Sequence, residues 1–324
     1  MIPMYRIKLV FLILLLSLAT ILLIACGNDG HVSVSTKITQ LKFADPMLRD
    51  CVLREAKAQG WESAGRMTEL RCTNPEGRKI KDISGLQNLV NLKILDLAHN
   101  EISDITVVDS LPRLVSLDLG YNQIETLHFD RLRVTLKWLN LHDNNIEDIS
   151  TLASLKHLSH LSISHNRIKT IKALASLGSL NSLNIRNNEI KSIEPLASIS
   201  FLQEVDLSGN LIEDLSPLRN LVELTRVFAA GNRIRDLEPL EELPRLEELD
   251  LSNNDLSNIS SLEHIASIRI LNLSNNRITA AGPLEFLGEI ESLDIGGNPL
   301  PCAELIKLRR VLGADVIENA CKTE

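Results

Sequence analysis

Between residues 92 and 300 one scheme of apolar and polar positions repeats. Laid over one another, LKILDLAHNEI, LVSLDLGYNQI, LKWLNLHDNNI, LSHLSISHNRI and LNSLNIRNNEI share four apolar columns and one polar column. The polar column is asparagine, at Asn100, Asn122, Asn144, Asn166, Asn188, Asn210, Asn232, Asn254, Asn276 and Asn298, and every interval is 22 residues. Within a unit the paired apolar positions, such as Leu95 and Leu97, alternate as on a short strand with one buried face. Apolar residues then recur every third position, as at Ile190, Ile193, Leu196 and Ile199. That stretch is too short for a long helix and predicts extended or 3₁₀ structure. Pro195, Pro217, Pro239 and Pro283 share one column there, as expected at the start of a helical turn. Outside the periodic region, FADPMLRDCVLREAKAQGW predicts a helix capped by Asp45, opened by Pro46 and ended by Gly60. PCAELIKLRRVL predicts a second helix with Leu305, Leu308 and Leu312 on one face.

The pattern LxxLxLxxNxI at this short period resembles the leucine-rich repeat, and the second half of each unit (IEDLSPLRNL, IRDLEPLEEL) resembles the variant shared by internalins and phosphatase regulators. The resemblance spans Leu92 to Leu300, with a degenerate unit over Leu70 to Leu89. It implies an α/β fold: a right-handed solenoid with a parallel sheet on the concave face and an extended or 3₁₀ convex side. Ten strands about 4.8 Å apart give a sheet roughly 45 Å long. Each asparagine is expected to turn inward, where its amide meets backbone groups of a tight turn. One unit departs: the columns of Val108 and Leu111 hold Asp130 and Arg133 in the next repeat, while Phe129 and Leu132 lie one residue earlier. A local distortion is expected over His128 to Val134. A solenoid has two open ends that need caps, and the two helices take those places.

Composition and charge narrow the function. Aromatics make up 3% of a chain that is 44% apolar, so the core is aliphatic. The formal charge is −8; Arg6 and Lys8 are the only charges before Cys26, and removing them leaves −10. That balance argues against nucleic acid, whose phosphates need a basic face, and against simple docking on anionic lipid. The N-terminus has a positive start followed by the uncharged 17-residue run Leu9–Ala25, as in a signal peptide. The run is short for a membrane-spanning helix, the alternative. LIAC, Leu23 to Cys26, resembles the lipobox of bacterial lipoproteins. The resemblance implies cleavage before Cys26, diacylation of its thiol, acylation of the new amino group and a lipid-anchored place in the bacterial cell envelope. Gly27 stands where aspartate would signal inner-membrane retention, which points to the outer membrane in a Gram-negative cell.

Cys26 is then the unpaired member of five cysteines. Cys51, Cys72, Cys302 and Cys321 remain, with 229 residues between the inner two, and an exported chain is expected to form two disulfides. Three connectivities are possible. A solenoid that holds its ends apart favours local pairing, Cys51–Cys72 and Cys302–Cys321, each stapling a cap. The expected organisation is a signal peptide (1–25), a lipidated cysteine and tether (26–42), a cap with a degenerate repeat (43–91), ten repeats (92–300) and a C-terminal cap (301–324).

No phosphate-binding loop, dinucleotide fingerprint, metal-spaced Cys/His cluster or nucleophile elbow occurs. No catalytic, cofactor or metal residues are therefore assigned, and no enzyme is expected. The free chemistry lies on the concave strand positions. One column there (Asp96, Asp118, Asn140, Ser162, Asn184, Asp206) reads as a broken cation ladder or as plain solvated polarity. His142 and His160 sit at different levels of neighbouring strands, too far apart to share a metal. Trp138, the only tryptophan in the repeats, is the best candidate anchor for a protein ligand. Tyr121, His142, His160 and Arg186 are expected within two strands of it. Phe228, beside Ala229, is expected to fill a core gap or to sit on the face. The sequence thus points to an envelope lipoprotein whose concave face binds a protein or envelope component. The alternative is a structural lipoprotein without a specific ligand.

Overall fold

The computed structural model describes residues 33–74, 76–313 and 316–318. The signal segment, Cys26 and Cys321 lie outside these residues. Among the described residues, no helix is long and apolar enough to cross a membrane.

One parallel sheet runs the length of the repeats, with its strands in sequence order. Its strands are β1 (Glu69–Arg71), β2 (Ile94–Asp96), β3 (Ser116–Asp118), β4 (Trp138–Asn140), β5 (His160–Ser162), β6 (Ser182–Asn184), β7 (Glu204–Asp206), β8 (Arg226–Phe228), β9 (Glu248–Asp250), β10 (Ile270–Asn272), β11 (Ser292–Asp294) and β12 (Ile317–Glu318). The register is constant, Leu95 opposite Leu117 opposite Leu139, so each apolar column stacks on itself. Leu95, Leu97, Leu117 and Leu119 are fully buried. Opposite the sheet, 3₁₀ segments such as Ser150–Ser154, Lys172–Ser176 and Glu194–Ser198 bury one leucine each, Leu152, Leu174 and Leu196. The four column prolines fall in the first two positions of their 3₁₀ segments.

The asparagine column holds the turns together. In Asn166 the amide Nδ2 donates to Leu141 O (3.0 Å), Ile163 O (3.1 Å) and Ser164 O (3.1 Å), and Oδ1 accepts from Ile146 N at 2.9 Å. Asn188 and Asn210 repeat the arrangement one turn on. Each amide joins its own turn to the preceding one, so a buried polar side chain serves as an inter-repeat clamp.

The departing repeat distorts as expected. Its 3₁₀ segment shrinks to Leu132–Val134, and Phe129 and Leu132 fill the core with no exposure. The Ser154 hydroxyl of the next repeat donates to Phe129 O at 2.8 Å and braces the shifted backbone.

Helix α1 (Pro46–Gln59) closes one end, burying Leu48, Cys51, Val52 and Ala56. Gly60 ends it at φ 68°, a left-handed position that costs glycine little. Asp45 works twice. Its Oδ1 caps the helix at Met47 N (2.7 Å) and Leu48 N (3.4 Å), and its Oδ2 accepts from Lys81 N (2.8 Å) and Asp82 N (3.4 Å) in the first repeat. Burial pushes the Asp45 carboxyl up, but these four N–H donors outweigh it and hold the pKa below the ordinary 3.8. Cys51 and Cys72 form the expected disulfide, with Cα atoms 5.9 Å apart.

Two boundaries differ from expectation. The second half of the supposed tether belongs to the cap: Lys37 bridges Ser63, Ala64 N donates to Thr36 O at 2.9 Å, and Ile38 and Leu41 are buried. At the other end, helix α2 (Cys302–Leu312) packs Leu305, Leu308 and Leu312 on the last repeat, as the spacing predicts. Beyond it the chain adds β12 to β11, Ile317 opposite Leu293. With β1 from the degenerate unit, the sheet has twelve described strands instead of ten. Cys302 is disulfide-bonded; the expected pairing with Cys321 lies outside the described residues.

Candidate functional site

On each strand from β2 to β11 the residues flanking the central buried leucine or valine point to the open face. Leu139 and Leu141 point inward, so Trp138 and Asn140 point outward, and Trp138 is 37% exposed. Register sets Trp138 between Ser116 on β3 and His160 on β5. His160 is exposed, with its Nδ1 2.9 Å from Ser159 Oγ.

The far end of the same strands carries a second cluster. The residue before each recurring asparagine is left-handed throughout: His99, Tyr121, Asp143, His165, Asn187, Gly209, Gly231, Asn253, Asn275 and Gly297 have φ between 50° and 70°. Glycine, asparagine and aspartate suit that backbone, whereas a bulky tyrosine is an outlier there, at roughly 1–2 kcal/mol. Tyr121 is held between two imidazoles. His99 stacks on it with centroids 4.1 Å apart, and His142 meets it edge-on at 4.3 Å. His142 Nδ1 lies 3.0 Å from Asp143 Oδ2. Gly120 makes this packing possible, because a Cβ there would stand 2.4 Å from His142 Cδ2. Tyr121 remains 44% exposed, its outer edge open to a ligand.

The expected site therefore divides. Trp138 and His160 are cross-strand neighbours at the leading end of the strands, and Tyr121 and His142 touch at the trailing end. Four to five residues of strand separate the two levels, roughly 13–16 Å. Arg186 is exposed two strands beyond His142, at the trailing level. A single ring of residues around Trp138 does not form. Counting strands placed Tyr121 beside it, but position along the strand sets it apart. His99 completes the aromatic stack and was not among the expected site residues. Its signal was present, since it precedes Tyr121 by one period in the same column.

The polar column has a local task. Asp96 Oδ1 accepts from Ala98 N (3.1 Å), Asp118 from Gly120 N (2.9 Å), Asn140 from His142 N (3.2 Å) and Asn184 from Arg186 N (3.0 Å). Asp206, Asp250, Asn272 and Asp294 do the same for the N–H two residues on. These are Asx turns that end each strand. Among the described residues, no three His, Cys, Asp or Glu side chains gather around a metal position. Phe228 stays on the face, half-buried, between Asp206 and Asp250, while Ala229 is fully buried beneath the sheet.

The open face thus presents two exposed aromatics, Trp138 and Tyr121, on a scaffold made of one repeated turn. The sequence profile described as "Leucine Rich repeats (2 copies)" matches residues 90–131, 134–176, 179–220 and 222–264, and the single-copy "Leucine Rich repeat" profile matches 264–282. Together these cover more than half of the chain. The chain belongs to the leucine-rich repeat family.

Among solved structures, an internalin (inlF) from Listeria monocytogenes is similar at 25% identity and a TM-score of 0.71, over 89% of this chain and 92% of that one. An internalin C2 (inlC2) from the same organism is similar at 28% identity and a TM-score of 0.57, over 75% of this chain and 99% of that one. No curated protein sequence matches the chain. At 89% of this chain the likeness to the first internalin reaches beyond the ten repeats, in keeping with the repeat type read from IEDLSPLRNL.

Proposed function

We propose that this leucine-rich repeat protein is a lipid-anchored component of a bacterial cell envelope that binds a protein ligand on its concave face. The anchor rests on the lipobox resemblance at Cys26. The binding role rests on one observation above the rest: Trp138 lies exposed on a rigid sheet whose neighbouring positions are small or polar. Tryptophan in such a setting supplies large contact area with little conformational entropy to lose. The strained, stacked Tyr121 offers a second contact at the trailing edge. The similarity to internalins, and the family's general use as a binding scaffold, support the same reading.

Photo-crosslinking on intact cells tests it. A benzophenone amino acid replaces His160, the exposed cross-strand neighbour of Trp138, in one variant and Phe286, 65% exposed in the 3₁₀ segment Gly282–Phe286, in another. The proposal expects one specific protein captured at His160 and not at Phe286. Recovery of only neighbouring lipoproteins and peptidoglycan from both positions would support the structural alternative. In parallel, Cys26→Ser is expected to abolish lipidation and release the protein from membranes. Quantitative membrane partitioning of that variant would mean that Leu9–Ala25 spans the bilayer.

A further inference from the structure

Beside Trp138 the sheet is not flat. A depression of about 250 Å³ lies over β1 to β4, lined on its open side by Arg71, Ile94, Asp96, Ser116, Asp118 and Trp138. Its form follows from the register. Ile94, Ser116 and Trp138 are cross-strand neighbours in one row, and Asp96 and Asp118 are neighbours in the next row. Small Ser116 leaves the gap, and Trp138 stands as the wall at one end. Arg71 stands at the other end, where its guanidinium is engaged by Glu69 on the same strand. Two carboxylates on adjacent strands, about 4.8 Å apart, face an occupant: Asp96 has the Arg71 cation as its cross-strand neighbour, and Asp118 has the neutral Asn140.

Those carboxylates are only partly satisfied. Each uses Oδ1 for the N–H two residues on. Asn140 Nδ2 also donates to Asp118, at 3.0 and 3.2 Å. Each group keeps acceptor capacity towards the depression, since an ionised carboxylate has about four lone-pair sites. Burial pushes the Asp96 carboxyl above its ordinary pKa and the neighbouring Asp118 charge adds to this, while the Ala98 N–H, the Arg71 guanidinium and His99 oppose it.

The geometry points to a receptor for one basic side chain: a lysine or arginine of the protein ligand lies along the Trp138 indole and sets its cation on Asp96 and Asp118. This deepens the binding role proposed for the concave face and rests on it. Three features select that occupant. The volume is below that of a typical small-molecule pocket and holds a single long side chain. An apolar side chain would strip water from two carboxylates without replacing it. Tryptophan is the best aromatic partner for a cation, which here would meet indole and carboxylates together.

The test uses the full-length protein in detergent, labelled with 5-fluorotryptophan. The chain has two tryptophans, so Trp61→Phe assigns the Trp138 fluorine signal. The probes are three acetylated pentapeptides, Gly-Gly-X-Gly-Gly amide, with X as lysine, arginine or norleucine. Lysine and arginine peptides are expected to shift the Trp138 signal saturably, and norleucine is not. Asp118→Asn is the decisive variant, because Asn140, Asn184 and Asn272 show that asparagine keeps the same strand-ending hydrogen bond. It should weaken the lysine peptide about tenfold without unfolding the protein. No shift, an equal shift with norleucine, or an unchanged affinity in Asp118→Asn overturns the inference. Failure here and failure of the binding role are separable. If cells yield a specific partner at His160 and Asp118→Asn captures it equally well, the binding face stands and the cation receptor falls. If the peptides show lysine selectivity but no partner is captured, the receptor chemistry stands and the proposed role falls.

Discussion

Replacing Asn166 by alanine tests how the solenoid is held together. The side chain makes four hydrogen bonds, but its loss does not orphan four groups. Leu141 O also accepts from Asn144 Nδ2 at 3.1 Å, and Ile163 O also accepts from Asn188 Nδ2 at 3.0 Å. Each of these carbonyls keeps a donor from a neighbouring clamp. The group left without its partner is Ile146 N–H, which is buried. One buried orphan costs about 1–3 kcal/mol, and the lost bonds and small void add to it, so about 2–3 kcal/mol is expected. Asn166→Asp should be worse at neutral pH, because it turns a carboxylate oxygen towards three carbonyls. Part of that loss should return in acid, where the protonated group can donate again. Urea unfolding gives the free energies, and amide exchange at Ile146 locates the damage. A change below about 0.5 kcal/mol in Asn166→Ala would refute the clamp, as would an aspartate variant no worse than the alanine.

Asp45→Ala should lower stability by about 1–2 kcal/mol at pH 7, the usual worth of a helix cap. Because the folded pKa of Asp45 is depressed, its carboxylate contributes above the ordinary 3.8 and loses its effect as pH falls through the folded value. Urea midpoints of wild type and variant should therefore converge below that pH, and a constant gap would contradict the account. Removing the Cys51–Cys72 bridge, which spans 21 residues, should cost about 3 kcal/mol by loop-closure entropy. Calorimetry of the double alanine variant checks this, and an unchanged unfolding free energy would contradict it. Non-reducing peptide mapping should join Cys302 to Cys321; a link from Cys321 to the N-terminal cap would contradict a solenoid whose ends are roughly 45 Å apart or more.

The fold was legible because every repeat makes the same choice. Asparagine every 22 residues, with leucines four and two residues before the left-handed position, forces strand, turn and core at once. Even the defect could be read, since Phe129 and Leu132 are displaced by a single residue. Strand β12 was missed because two residues after a helix carry no period. The task of Asp96 and Asp118 was missed for a different reason. A column of acids in sequence looks like a ligand ladder, and only the turn geometry shows Oδ1 turned to the N–H two residues on. For the candidate residues, the strand was legible and the level along it was not. Period gives which strand a side chain sits on, but Tyr121 and Trp138 occupy opposite ends of their strands. The depression beside Trp138 depends on the gap at Ser116 and on which way an indole leans, and neither is periodic.

The central claim is that the sheet face around Trp138 binds a protein. The most direct measurement is a pair of values for Trp138→Ala: affinity for the partner captured on cells, and the thermal midpoint. Losing an anchor of this kind costs 2 kcal/mol or more of binding, about a thirtyfold drop. The exposed ring lies outside the leucine core, so folding should change by roughly 0.5 kcal/mol or less. The account predicts weakened binding with the midpoint unmoved. Unchanged affinity would place the binding surface elsewhere, and a sharply lowered midpoint would mean that Trp138 supports the fold instead of the ligand.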